Sequence, residues 1–280
     1  MLKANAVKKL AICSLVSTVA MGSSAMAHTT IQSTITANSS GVTSSNYNNI
    51  VIGHTCSVTT GEGDNAVTKK FPIKAQSVLF PTVSPDILVD SGTSPSGLAV
   101  TDLITSATGL ANIPQLVKSR DIFNKQSEKY QLDSDGKLTT NVIGFNSYSG
   151  DLSSELHGLV PFRFNSITFK TGISGLTDGC VKKLVIKVAI ADVCKMVFPN
   201  GGPKEGQANT WIPNPTDKFS HRLDGSVPDP DTGSTDPRIG SPASLTIDNS
   251  AACATGSTVT IWPSNADIDA NLVIPKVWGK

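Results

Sequence analysis

Short runs of β-branched residues with alternating character recur along the chain, and they set the expected architecture. In Leu184-Val185-Ile186-Lys187-Val188-Ala189-Ile190 the residues Leu184, Ile186, Val188 and Ile190 share one face, as a half-buried strand requires. Ser244-Leu245-Thr246-Ile247 and Ser257-Thr258-Val259-Thr260-Ile261-Trp262 repeat the pattern. Phe162-Arg163-Phe164 and Ile167-Thr168-Phe169 read as one strand broken in phase at Asn165-Ser166, as a bulge would break it. Thr29-Thr30-Ile31-Gln32-Ser33-Thr34-Ile35 also alternates. Turns rich in Gly, Pro, Asn, Asp and Ser separate these runs. The expectation is a mainly β chain folded as an antiparallel β-sandwich.

Two stretches depart from the pattern. From about 100 to 130, Leu103, Ile104, Leu110, Ile113, Leu116, Val117 and Ile122 fall at mixed helical spacings, while Gly109 and Pro114 forbid one continuous helix. One or two short helices are expected there. Residues 200–243 have few apolar positions and many Pro and Gly, which reads as a long surface loop. Its Asp224, Asp229, Asp231 and Asp236 fit no twelve-residue EF-hand spacing, so they read as solvated.

The first residues carry a different signal. Lys3, Lys8 and Lys9 precede a mostly apolar run from Leu10 to Met21, and Ala25-Met26-Ala27 supplies the small-x-small pattern of a signal peptidase site. The run is too short to span a membrane. Residues 1–27 are therefore expected to be a cleaved signal peptide and 28–280 a single elaborated domain, located in the periplasm or at the cell surface. Removing 27 of the 280 residues leaves 253, enough for one large core. Three of the 23 basic residues leave with the signal peptide, so 20 face 22 acidic ones, and no basic surface argues for nucleic acid.

Four cysteines remain after the cut, Cys56, Cys180, Cys194 and Cys253. An even count in an exported protein implies two disulfides, with three pairings possible. No Cys-x-x-Cys supports a zinc ribbon or a redox motif, no Gly-x-Ser-x-Gly marks a nucleophile elbow, and no glycine-rich phosphate loop is present.

Cleavage after Ala27 would make His28 a free N-terminal histidine. Its amine and imidazole Nδ1 can close a six-membered chelate ring on one Cu(II) ion, and an amine pKa of roughly 8 makes proton loss to a strong Lewis acid inexpensive. His54 ends the strand-like Val51-Ile52-Gly53 two residues before Cys56, and is a second candidate ligand. His157 and His221 read as ordinary surface residues.

The order of a signal peptide ending in Ala, then His28-Thr29-Thr30-Ile31, then Val51-Ile52-Gly53-His54-Thr55-Cys56, resembles the YcnI-type periplasmic copper-binding proteins. Phe71-Pro72-Ile73 through Ser77-Val78-Leu79-Phe80-Pro81 resembles that family's next strand, and Val188-Ala189-Ile190-Ala191-Asp192-Val193-Cys194 followed by Trp211 resembles its late strand and the tryptophan beyond it. The resemblance implies an immunoglobulin-like β-sandwich whose N-terminal histidine binds Cu(II), with a carboxylate and a nearby tryptophan completing the site. It assigns His28, and Trp211 for the tryptophan. The family's glutamate has no counterpart, since Thr55 stands there, and His54, Glu62 or Asp64 are the nearby alternatives. The resemblance also implies a Cys56–Cys194 bridge, which leaves Cys180 with Cys253. Segments 98–141 and 215–280 are unmatched.

The function so implied is periplasmic copper uptake, storage or delivery, with a membrane copper transporter or another periplasmic copper chaperone as partner. Two alternatives stand beside it. One is a copper monooxygenase-like enzyme with a histidine brace, for which His54 would be the second histidine; the other is a metal-free surface interaction domain.

Overall fold

A computed structural model describes residues 29–38, 41–53, 55–82, 85–90, 97–195, 208–214, 216, 218–219 and 242–272. The expected signal peptide, His28, His54, His221 and the aspartates of the long loop lie outside the described residues. In chain order the strands are β1 (Thr30–Ile31), β2 (Ile35–Thr36), β3 (Gly41–Val42), β4 (Asn46–Ile52), β5 (Cys56–Thr60), β6 (Val67–Phe71), β7 (Ile73–Leu79), β8 (Asp86–Val89), β9 (Pro114–Leu116), β10 (Phe123–Leu132), β11 (Leu138–Leu152), β12 (Gly158–Phe164), β13 (Ile167–Thr168), β14 (Val181–Val193), β15 (Ala208–Trp211), β16 (Ala243–Asp248) and β17 (Ser257–Trp262). Two helices, α1 (Val100–Leu103) and α2 (Asn265–Asn271), accompany them.

The chain is a β-sandwich. One layer has the order β1-β4-β12-β9, and the larger is built on β10-β11-β7-β14-β16-β2, with β15 and β17 also on β14. Most pairs are antiparallel, whereas β17 runs parallel to β14 and β2 parallel to β16. Apolar residues in inward phase meet between the layers, where Phe80, Phe145 and Phe162 form a trio with ring centroids 5.7–6.3 Å apart. Gly144 lets β11 approach β7 closely, because a Cβ there would stand 2.1 Å from the Val78 carbonyl oxygen.

Strand β14 is the spine of the larger layer. Its first half lies between β16 and β17, and its second half between β7 and β15. Leu184, Ile186, Val188 and Ile190 fill the space between the layers. The opposite face is cut down to Ala189, Ala191 and Val193, which leaves room for Ile268 and Leu272 of α2 and its flank to pack. Disulfides Cys180–Cys253 and Cys56–Cys194 grip the residues just before and just after this strand.

Several local expectations are corrected. Asn165-Ser166 is no bulge: β12 pairs β4 while β13 pairs β3, so the chain changes sheets there. Thr29–Ile35 likewise divides into β1 and β2, which join different layers. Between 100 and 130 only α1 is helical, and the rest includes β9 and most of the ten-residue β10. Proline is tolerated in β9 because that strand pairs β12 alone. Strand β10 lies at a sheet edge with polar residues on both faces, so it lacks the alternation that marks a core strand.

Candidate functional site

The end of β14 holds a carboxylate in the interior. Asp192 follows Leu184, Ile186, Val188 and Ile190 in the inward phase and is fully buried. An isolated charge there would be costly, and three neutral donors surround it. Gln76 Nε2, on the neighbouring β7, donates to Oδ1 at 2.7 Å. Thr29 Oγ1 and Trp211 Nε1 donate to Oδ2 at 2.5 and 2.8 Å. Hydrogen bonds of this kind favour the charged form of a carboxylate and fix its plane.

Each partner is delivered by strand pairing. Gln76 stands opposite Asp192 in the β7–β14 register, and Trp211 stands opposite Ile190 at the end of β15. Thr29 immediately precedes β1, where Thr30 pairs with Val51 of β4. The Cys56–Cys194 bridge closes the same end, with a Cα–Cα distance of 6.1 Å and the Cys56 N–H donating to Cys194 Sγ at 3.2 Å. Beyond it, the Lys195 ammonium stands 4.0 Å over the Phe71 ring, and Phe71 pairs with Cys56.

Among the residues singled out from the sequence, Trp211 is buried and its indole N–H is directed at Asp192. An indole offers a donor and no lone pair, so Trp211 acts here as a partner of the carboxylate and as an apolar wall. His28 and His54 are undescribed, but their neighbours are not: Thr29 and Thr55 are both buried. His157 is exposed. Glu62 and Asp64 lie at the turn of the β5–β6 hairpin, exposed and beyond Thr60, itself about 13 Å along the strand from Cys56. No group of three or more His, Cys, Asp or Glu side chains comes together among the described residues.

Sequence reasoning missed Asp192, Gln76 and Thr29. The signal for Asp192 was present, since a carboxylate in the inward phase of a core strand demands partners. Gln76 and Thr29 carried no such mark, because their partner lies 116 and 163 residues away.

The described residues form no helix long and apolar enough to cross a membrane, and the two disulfides fit an oxidising compartment. Comparison with family models, curated proteins and solved structures returns no match.

Proposed function

We propose that the chain is exported, begins at His28 after cleavage, and binds Cu(II) as cargo through the His28 amine and imidazole with the Asp192 carboxylate beside them. The observation that carries this reading is the hydrogen bond from Thr29, the residue next to His28, to a buried carboxylate that also holds Trp211. Carboxylate and tryptophan are the two groups a site of the YcnI type needs beside its N-terminal histidine. The residue that follows His28 directly in the chain is thus the one whose hydroxyl donates to Asp192, and this supports the reading. Carboxylate and imidazole are both suitable donors for Cu(II).

A site with few protein ligands suits transfer better than permanent storage, and a membrane copper transporter or a periplasmic copper chaperone would receive the metal. The oxygen-activating alternative requires His54 as well. Its supporting observation is the antiparallel β1–β4 pairing, which brings the strands flanking the two histidines together.

The test is a Cu(II) titration of protein beginning at His28 against protein with one extra residue before it. The extra residue turns the amine into an amide and breaks the chelate ring, so affinity should fall at least about a hundredfold. Equal binding by both forms would refute the reading. Oxygen consumption with a reductant separates carrier from enzyme.

A further inference from the structure

Five paired strands carry a polar residue at one level of the inner face of the larger sheet. Asn209 of β15 stands opposite Asp192, Asp192 opposite Gln76, Gln76 opposite Ser147 of β11, and Ser147 opposite Gln126 of β10. Asp192, Gln76 and Ser147 are fully buried and Asn209 nearly so. Towards the edge the row is tied down, with Gln126 Nε2 donating to Ser147 Oγ at 3.3 Å and Gln126 Oε1 accepting from the Ser119 N–H at 2.8 Å.

One atom in the row is anomalous. Gln76 Oε1 is buried and has no hydrogen-bond partner among the described residues. Turning the amide over would not repair this, because it would set Oε1 against Asp192 Oδ1, acceptor against acceptor. The orientation is thus dictated by the carboxylate, at the expense of the glutamine's own oxygen. A residue concerned only with packing would be apolar here, as Val78 and Phe80 are on the same face.

We propose that Gln76 is the positioning residue of the Asp192 centre. Its N–H engages Oδ1 and fixes the carboxylate plane, so that Oδ2 meets Thr29 and Trp211. Glutamine suits this role because it donates without adding a charge that would compete with a bound cation. The consequence for copper rests on the function proposed above; the consequence for Trp211 does not.

Two readouts test it. In metal-free protein, Gln76→Met removes the N–H at similar length and should move the Trp211 indole Nε1–H resonance, while that of Trp262 on β17 stays in place. In protein beginning at His28, the same substitution should weaken Cu(II) about tenfold and change its electron paramagnetic resonance spectrum. Ser147→Ala, which leaves the Gln76–Asp192 bond intact, should do neither. An unmoved Trp211 resonance in Gln76→Met, or an equal shift in Ser147→Ala, overturns the proposal. If Gln76→Met fails to fold, the unaltered protein decides: a scalar coupling across the hydrogen bond from Gln76 Nε2 to the Asp192 carboxyl carbon is expected, and its absence overturns the proposal. Failure of unaltered protein to bind copper would refute the carrier reading alone, since the indole resonance and the coupling need no metal.

Discussion

Neighbouring residues of β7 serve two buried ionisable groups on opposite faces of one sheet, and the two centres are built differently. On the inner face Gln76 donates to Asp192, which among the described residues also accepts from Thr29 and Trp211. On the outer face Ser77 accepts from Lys129 of β10 at 2.7 Å, and that ammonium also donates to the carbonyl oxygen of Asn271, at the end of α2. Burial pushes the Lys129 amine down to about 7 from its ordinary 10.5. The carboxylate is thus surrounded by groups that prefer it charged. The amine is held by neutral oxygens that offset only part of its desolvation, and its contact is with the exposed carbonyl end of a helix. The first arrangement meets an interior carboxylate with hydrogen-bond donors; the second fastens α2 to the sheet.

The largest expected effect follows from removing the acceptor that the three donors share. Asp192→Ala leaves Thr29, Gln76 and Trp211 buried without it and should cost about 4 kcal/mol in urea unfolding at pH 7. Asp192→Asn, which keeps one oxygen, should cost less. Equal stability of Asp192→Ala and the parent would dissolve the contrast between the centres.

A pH effect of roughly 3 kcal/mol comes next, from the other face. Because the folded amine has the lower pKa, between about pH 7 and 10.5 the unfolded chain binds a proton that the folded chain does not. Stability from this group should therefore rise with pH from 7 to 10, and Lys129→Met should flatten that slope. A slope that persists in Lys129→Met would assign it elsewhere.

The smallest effect sharpens the comparison. Thr29→Val keeps the shape and removes one of the three donors, so stability should drop by about 1 kcal/mol. Differential scanning calorimetry at pH 7 and pH 10 should find the same loss at both, because Lys129 is served from the opposite face.

The legible parts of this molecule were those whose residues announce their own surroundings. Leu184 to Ile190, Ser244 to Ile247 and Ser257 to Trp262 alternate because each has one face between the layers, and all three are strands. The Cys56–Cys194 bridge that the resemblance implied is present, and so is the Cys180–Cys253 bridge that it left by elimination. Strand β10 was hidden because an edge strand carries polar residues on both faces, and α2 because seven residues are too few for a period to stand out. The partners of Asp192 were hidden for another reason. Thr29, Gln76 and Trp211 are ordinary residues until strand pairing brings them to one carboxylate.

The two cysteines that bracket β14 also bear on how the chain reaches its native connectivity. Cys180 and Cys194 are the closest pair of thiols in sequence, and a random coil would join them first. Once β14 is extended they stand about 45 Å apart, whereas a disulfide needs Cα atoms within about 7 Å. The strand therefore acts as a molecular ruler during oxidation: its formation forbids the short, entropically easiest bridge and leaves each flanking thiol to wait for a distant mate.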